Sequence, residues 1–143
     1  LLTMTISNRI SIALVAAFFV IAVVSGMPAE TMLTHVAAGL LVLAAGIVLF
    51  AVGGFGGGDA KLLAAGALWI GLDHLLAYLI WVTLFGGALA LAILAYRKLP
   101  FDAYPIPDWA RRLHARSSGI PYGIAIAAAA MYMYPKTPWF SLF

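Results

Sequence analysis

Three runs, Ile10 to Gly26, Thr34 to Val52 and Leu75 to Tyr96, pass without a single Lys, Arg, Asp or Glu, and they restrict the chain to folds whose elements face hydrocarbon. At about 1.5 Å per helical residue, a run of about 17 residues or more approaches the roughly 30 Å of a bilayer core. Lipid offers no partner to backbone N–H and C=O groups, so each run must satisfy its own by forming a helix. The rest of the composition agrees. Of 143 residues, 65% are hydrophobic and 9% charged, with a mean hydropathy of +1.08, whereas soluble domains run near 45 to 50% apolar and about 25% charged. The expected fold is all-α, a polytopic transmembrane bundle of about five membrane helices forming one membrane-embedded domain over residues 1–143. No length remains for a separate soluble domain.

There is no cysteine, which excludes disulfides, thiolate metal sites and cysteine nucleophiles. The net charge of +3 reads as membrane orientation rather than as a nucleic-acid footprint. Ile10 to Gly26 also has the outline of a signal peptide, with Arg9 as a basic flank and Val24-Ser25-Gly26 as a small-residue site, but the further apolar spans favour a transmembrane helix.

Between the spans, Met27 to Glu30 reads as a turn with Thr31 as helix N-cap. Gly53 to Gly58 interrupts the second apolar run, and Asp59 opens a helix to about Leu72 that is too short to cross a bilayer alone. Non-helical backbone at membrane depth is tolerated where protein or water satisfies it, so the glycine loop is expected to line a hydrated cavity. Asp73-His74 marks the next turn. Leu99 to Gly119 is polar and proline-interrupted, with an interfacial helix expected over Asp108 to Arg116. The last span runs from Ile120 to Tyr134, and Tyr132, Tyr134 and Trp139 are expected in an interfacial aromatic belt. Alternating these spans puts Arg9, Lys61, Arg97, Lys98, Arg111, Arg112 and Arg116 on one side and Lys136 on the other. The basic side is then cytoplasmic, and Asp59 lies at it.

An ionised side chain at mid-bilayer costs roughly 2.5 to 3.5 kcal/mol on insertion scales, so Asp59 is a functional candidate. Gly53-Gly54-Phe55-Gly56-Gly57-Gly58-Asp59-Ala60-Lys61 is neither a P-loop, which needs Gly-Lys-Ser/Thr at its end, nor a dinucleotide fingerprint, which needs a preceding strand. Two readings of the carboxylate remain: a helix cap on the amide of Lys61 or Leu62, or an acid–base group in peptide hydrolysis, with glycines that let an extended substrate come close. His35, His74 and His114 have no metal-ligand spacing, so no metal or other cofactor is expected. Lys61 reads most simply as a snorkelling helix-end lysine, and Gly39, Gly46, Gly86 and Gly87 as small residues for close helix packing.

Gly56-Gly57-Gly58-Asp59 matches the G-x-G-D motif of the membrane aspartyl proteases, and Phe55 to Leu63 as a whole resembles the type IV prepilin peptidases, in particular the short form serving tight-adherence pili. Ile120-Pro121-Tyr122-Gly123-Ile124-Ala125-Ile126-Ala127 resembles that form's last-helix motif. Ile6-Ser7-Asn8 resembles the family's Ile-Pro-Asn, with Ser7 in place of proline. The resemblance implies Asp59 as a catalytic acid, Gly56, Gly57 and Gly58 as its motif loop, and Asn8, Lys61, Pro121, Tyr122 and Gly123 as substrate-positioning residues. The implied substrate is a prepilin, cut behind a short basic leader at a bacterial inner membrane. The family's first catalytic aspartate lies six residues before the isoleucine equivalent to Ile6, immediately ahead of Leu1. A chain starting at Leu1 is therefore expected to carry the architecture of the enzyme, less its N-terminal helix and first aspartate, and to be inactive alone. Membrane lipid is the other expected partner, with Arg111, Arg112 and Arg116 toward anionic headgroups. The competing readings are a small transporter or channel subunit, which would need polar residues along several spans, and a non-catalytic assembly component.

Overall fold

The computed structural model describes residues 7–53, 55–98, 121–137 and 139. They form five α-helices, α1 (Asn8–Val24), α2 (Ala29–Ala51), α3 (Gly57–Ile70), α4 (Leu72–Tyr96) and α5 (Tyr122–Met133), followed by a 3₁₀ turn over Tyr134–Lys136. No strand occurs among the described residues. The proline-rich stretch and the interfacial helix expected over Asp108 to Arg116 lie outside them.

Two helices, α2 with 23 residues and α4 with 25, are long and apolar enough to cross a membrane by length and composition. Few residues of either are buried, and Leu33, Leu40, Leu41, Ile47, Val48, Leu76 and Leu91 stay exposed, so neither is packed like the core helix of a water-soluble fold. At 17 residues, α1 is apolar but shorter.

The short helix α3 is the centre of the bundle. It touches α1, α2, α4 and α5, and it buries Ala60, Ala64, Ala65, Ala67, Leu68 and Ile70. Small side chains make this possible. A Cβ added at Gly46 of α2 would stand 2.9 Å from the Ala60 Cβ, and one at Gly39 would stand 3.2 Å from the Leu68 Cβ. Gly39 and Gly46 are therefore the packing glycines expected of them, bringing α2 onto α3 at backbone range. Close van der Waals contact of this kind holds helices together where the surrounding solvent is as apolar as the core.

Helix ends differ from expectation at three places. Serine replaces proline productively at Ser7, which is the N-cap of α1 and accepts a 3.3 Å bond from the Arg9 amide. Thr31 is not an N-cap. The helix α2 starts at Ala29 behind Pro28, and Thr31 lies inside it, its carbonyl accepting 2.8 Å from the Thr34 hydroxyl. Nothing in Ala29 to Leu33 opposes helix, and Glu30 suits the amide end of its first turn. The next turn is made by Gly71, not Asp73-His74. Gly71 has φ 79° and ψ 169°, a conformation open essentially only to glycine, and α4 resumes at once with Asp73 in its first turn.

Trp139 overturns its expected place in an interfacial belt. It is 1% exposed and packs against Phe18, His35 and Trp69, with ring centroids 5.5 to 5.8 Å away. The C-terminal turn of α3 explains why. A helix leaves its last carbonyls without intrahelical partners, and here the Leu68 oxygen accepts from His35 Nδ1–H at 2.8 Å while the Trp69 oxygen accepts from the Trp139 indole at 2.8 Å. The Trp69 indole in turn donates 3.0 Å to the Leu14 carbonyl of α1. Tyr134 joins this cluster. Of the three belt candidates only Tyr132 is outward, its ring tilted against Trp81 at 4.3 Å between centroids with the Lys136 ammonium 4.1 Å from its ring.

Candidate active site

The glycine segment ends α2 by local preference. Val52 closes the helix, Gly53 takes φ 75°, and Gly56 becomes the N-cap of α3. The non-helical loop is shorter than expected, because Gly57 and Gly58 already belong to the first turn of α3. Val52, Gly53 and Gly56 are exposed at the end of the bundle.

Asp59 is the third residue of α3 and is half-buried. It does not cap the helix: the N-cap is Gly56, which has no side-chain bond to offer. The carboxylate leans back over that glycine, and a Cβ at Gly56 would come within 3.0 Å of its Oδ2. Glycine at this position gives the carboxylate its room. The N–H of Gly123, in the first turn of α5, donates to it. Amides of that turn have no intrahelical acceptor, so the amide ends of two helices, α3 and α5, converge on one carboxylate and orient it.

An aromatic contact joins the same two segments. Phe55 of the loop and Tyr122 of α5 lie 6.1 Å apart between ring centroids, and Tyr122 is seated against Gly86 of α4, where an added Cβ would stand 2.9 Å from its ring. Sequence reasoning treated Gly86 and Gly87 alike as packing glycines, but Gly87 has nothing within 4 Å of such a Cβ. Gly86→Ala is therefore expected to destabilise the protein by about 1 to 3 kcal/mol through displacement of Tyr122. Gly87→Ala, one step along the same helix, should be neutral or stabilising by up to about 1 kcal/mol. Unfolding titrations in mixed micelles would measure both, and equal effects would refute the seat.

The remaining site candidates fall elsewhere. Asn8 and Lys61 meet, with the Lys61 ammonium donating 3.0 Å to the Asn8 side-chain oxygen. Two residues along a helix turn the side chain by about 200°, so Lys61 faces away from Asp59. The structure thus divides the sequence candidates in two: Asp59 with Gly123 and Tyr122 toward α5, and Lys61 with Asn8 toward α1. Two other acids are described, Glu30 and Asp73. They start α2 and α4 and stand at the opposite end of the bundle from Asp59. No group of three or more His, Asp or Glu side chains is arranged to hold a metal ion among the described residues.

An acid-bearing glycine turn on a helical bundle with an apolar exterior defines a membrane-type helical protein with one candidate catalytic carboxylate. The chain belongs to the type IV leader peptidase family, whose model matches residues 1–91, from α1 through most of α4 and including Asp59. It is a peptidase by that membership. The Tyr122-Gly123 turn lies beyond the matched residues. No curated protein and no solved structure matches the chain.

Proposed function

We propose that this protein is a membrane aspartic endopeptidase that removes the basic leader of type IV prepilins at the cytoplasmic face of a bacterial inner membrane, in the short form serving tight-adherence pili. The observation that carries the reading is the orientation of Asp59 by the Gly123 amide at the rim of a bundle belonging to the leader peptidase family. All five helices would lie in the membrane, with Arg9, Lys61, Arg97 and Lys98 on the cytoplasmic side.

Two carboxylates share the chemistry in this reading. Asp59 is one, and the aspartate expected immediately ahead of Leu1 is the other. Like charges a few ångströms apart resist joint ionisation, so the pair holds one proton. The charged member removes a proton from water, the resulting hydroxide adds to the scissile carbonyl, and the protonated member delivers its proton to the leaving amine. The position of Asp59 in the first turn of α3 makes it the base. Exposed Gly53 and Gly56 leave the backbone beside it open to an extended substrate strand.

The test is reconstitution of the full-length protein in vesicles with a synthetic prepilin. Cleavage between the basic leader and the apolar helix is the expected result. An intact substrate, or cleavage elsewhere, refutes the assignment.

A further inference from the structure

We propose that the groove between α1 and α2, floored by α3, binds one anionic phospholipid, its phosphate at Lys61 and one acyl chain along the groove. Both α1 and α2 rest on α3, and the space left between them is a groove of about 570 Å³. Val15, Phe19, Leu40 and Leu43 line its sides, giving a long apolar trough suited to a hydrocarbon chain.

Among the described residues that line it, the only charged one is a cation. Lys61 and Asn8 stand at the mouth, and Arg9 adds a second cation on the first turn of α1. The Asn8 oxygen takes one of the three ammonium donors of Lys61 and leaves two for a phosphate. Ser11 is an independent observation. It lies one helical turn deeper on α1, lines the groove and is 7% exposed, and its hydroxyl has no hydrogen-bond partner among the described residues. Three residues of helix advance about 4.5 Å, which sets that donor below the phosphate, at the level of a glycerolipid ester carbonyl. Buried hydroxyls are normally paired, and the ester carbonyl supplies the missing acceptor.

Two other occupants fit less well. A basic leader peptide would meet Lys61 with like charge. A second copy would have to bring a carboxylate to Lys61; among the described residues Glu30 and Asp73 stand at the opposite end of the bundle and Asp59 is turned toward α5.

Native mass spectrometry of the delipidated full-length protein, titrated with phosphatidylglycerol and with phosphatidylcholine of the same chains, tests the proposal. One phosphatidylglycerol should bind, about fivefold tighter than phosphatidylcholine. Lys61→Gln should abolish the preference, and Leu40→Trp, at an exposed wall position that the larger ring would fill, should weaken both lipids. Equal affinity for the two lipids, a preference that survives Lys61→Gln, or binding unchanged by Leu40→Trp overturns it. So does displacement of the lipid by a prepilin peptide or by a second copy of the chain. Because the groove is on the far side of α3 from Asp59, this readout is independent of proteolysis.

Discussion

Asp59→Asn is expected to lower prepilin cleavage by the full-length protein by about 10³-fold or more, the scale lost when a positioned acid–base group is removed. Asparagine has nearly the same shape and keeps a side-chain oxygen, so it can still accept from the Gly123 amide and sit over Gly56. What it loses is the capacity to take a proton from water or to hold one for the leaving amine. Membrane insertion and stability should therefore change little, within about 0.5 kcal/mol by unfolding titration. The pairing of lost cleavage with retained fold is the informative outcome. Cleavage surviving at a tenth of its original rate would remove Asp59 from the mechanism, and a variant that fails to insert would make the carboxylate a structural group.

Trp139→Ala should destabilise the bundle by about 3 to 5 kcal/mol, the range for emptying a large aromatic site in a core. The ring fills the space among Phe18, His35 and Trp69, so its removal leaves a cavity beside the C-terminus of α3. It also strips the Trp69 carbonyl of its indole donor. Trp139→Phe separates the two effects, restoring most of the packing while losing the bond, for an expected loss of about 1 to 3 kcal/mol. Reversible unfolding in mixed micelles would measure both. An alanine variant within 1 kcal/mol of the parent would show that the C-terminal segment does not brace α3.

How far the sequence anticipated these sites varies by residue. The G-x-G-D pattern singled out Asp59 before any geometry was known, and the break in the apolar run put it at the start of a short helix. Its interaction with Gly123 was not legible, because 63 residues separate the two. The seat of Tyr122 was hidden for a related reason. Gly86 and Gly87 are neighbours of one type on one helix, and only the approach of α5 makes one of them critical. Trp139 follows Tyr132, Tyr134, Lys136 and two prolines, a pattern that fits an interface equally well. The two unpaired carbonyls at the end of α3 drew it and His35 inward.

By itself the sequence pointed to the helical character of the described residues, to apolar surroundings and to the lone carboxylate at a glycine turn. Those properties reside in runs of neighbouring residues. The tertiary structure decided which face of each helix turns inward: Asp59 toward α5, Lys61 toward α1 and Trp139 into the core. Helices that are apolar nearly all round carry no amphipathic stripe to announce a buried face. Where lipid and core are equally apolar, the choice falls to small residues and a few buried hydrogen bonds, here Gly39 and Gly46 against α3 and the carbonyls of Leu68 and Trp69, whose partners are distant in the chain.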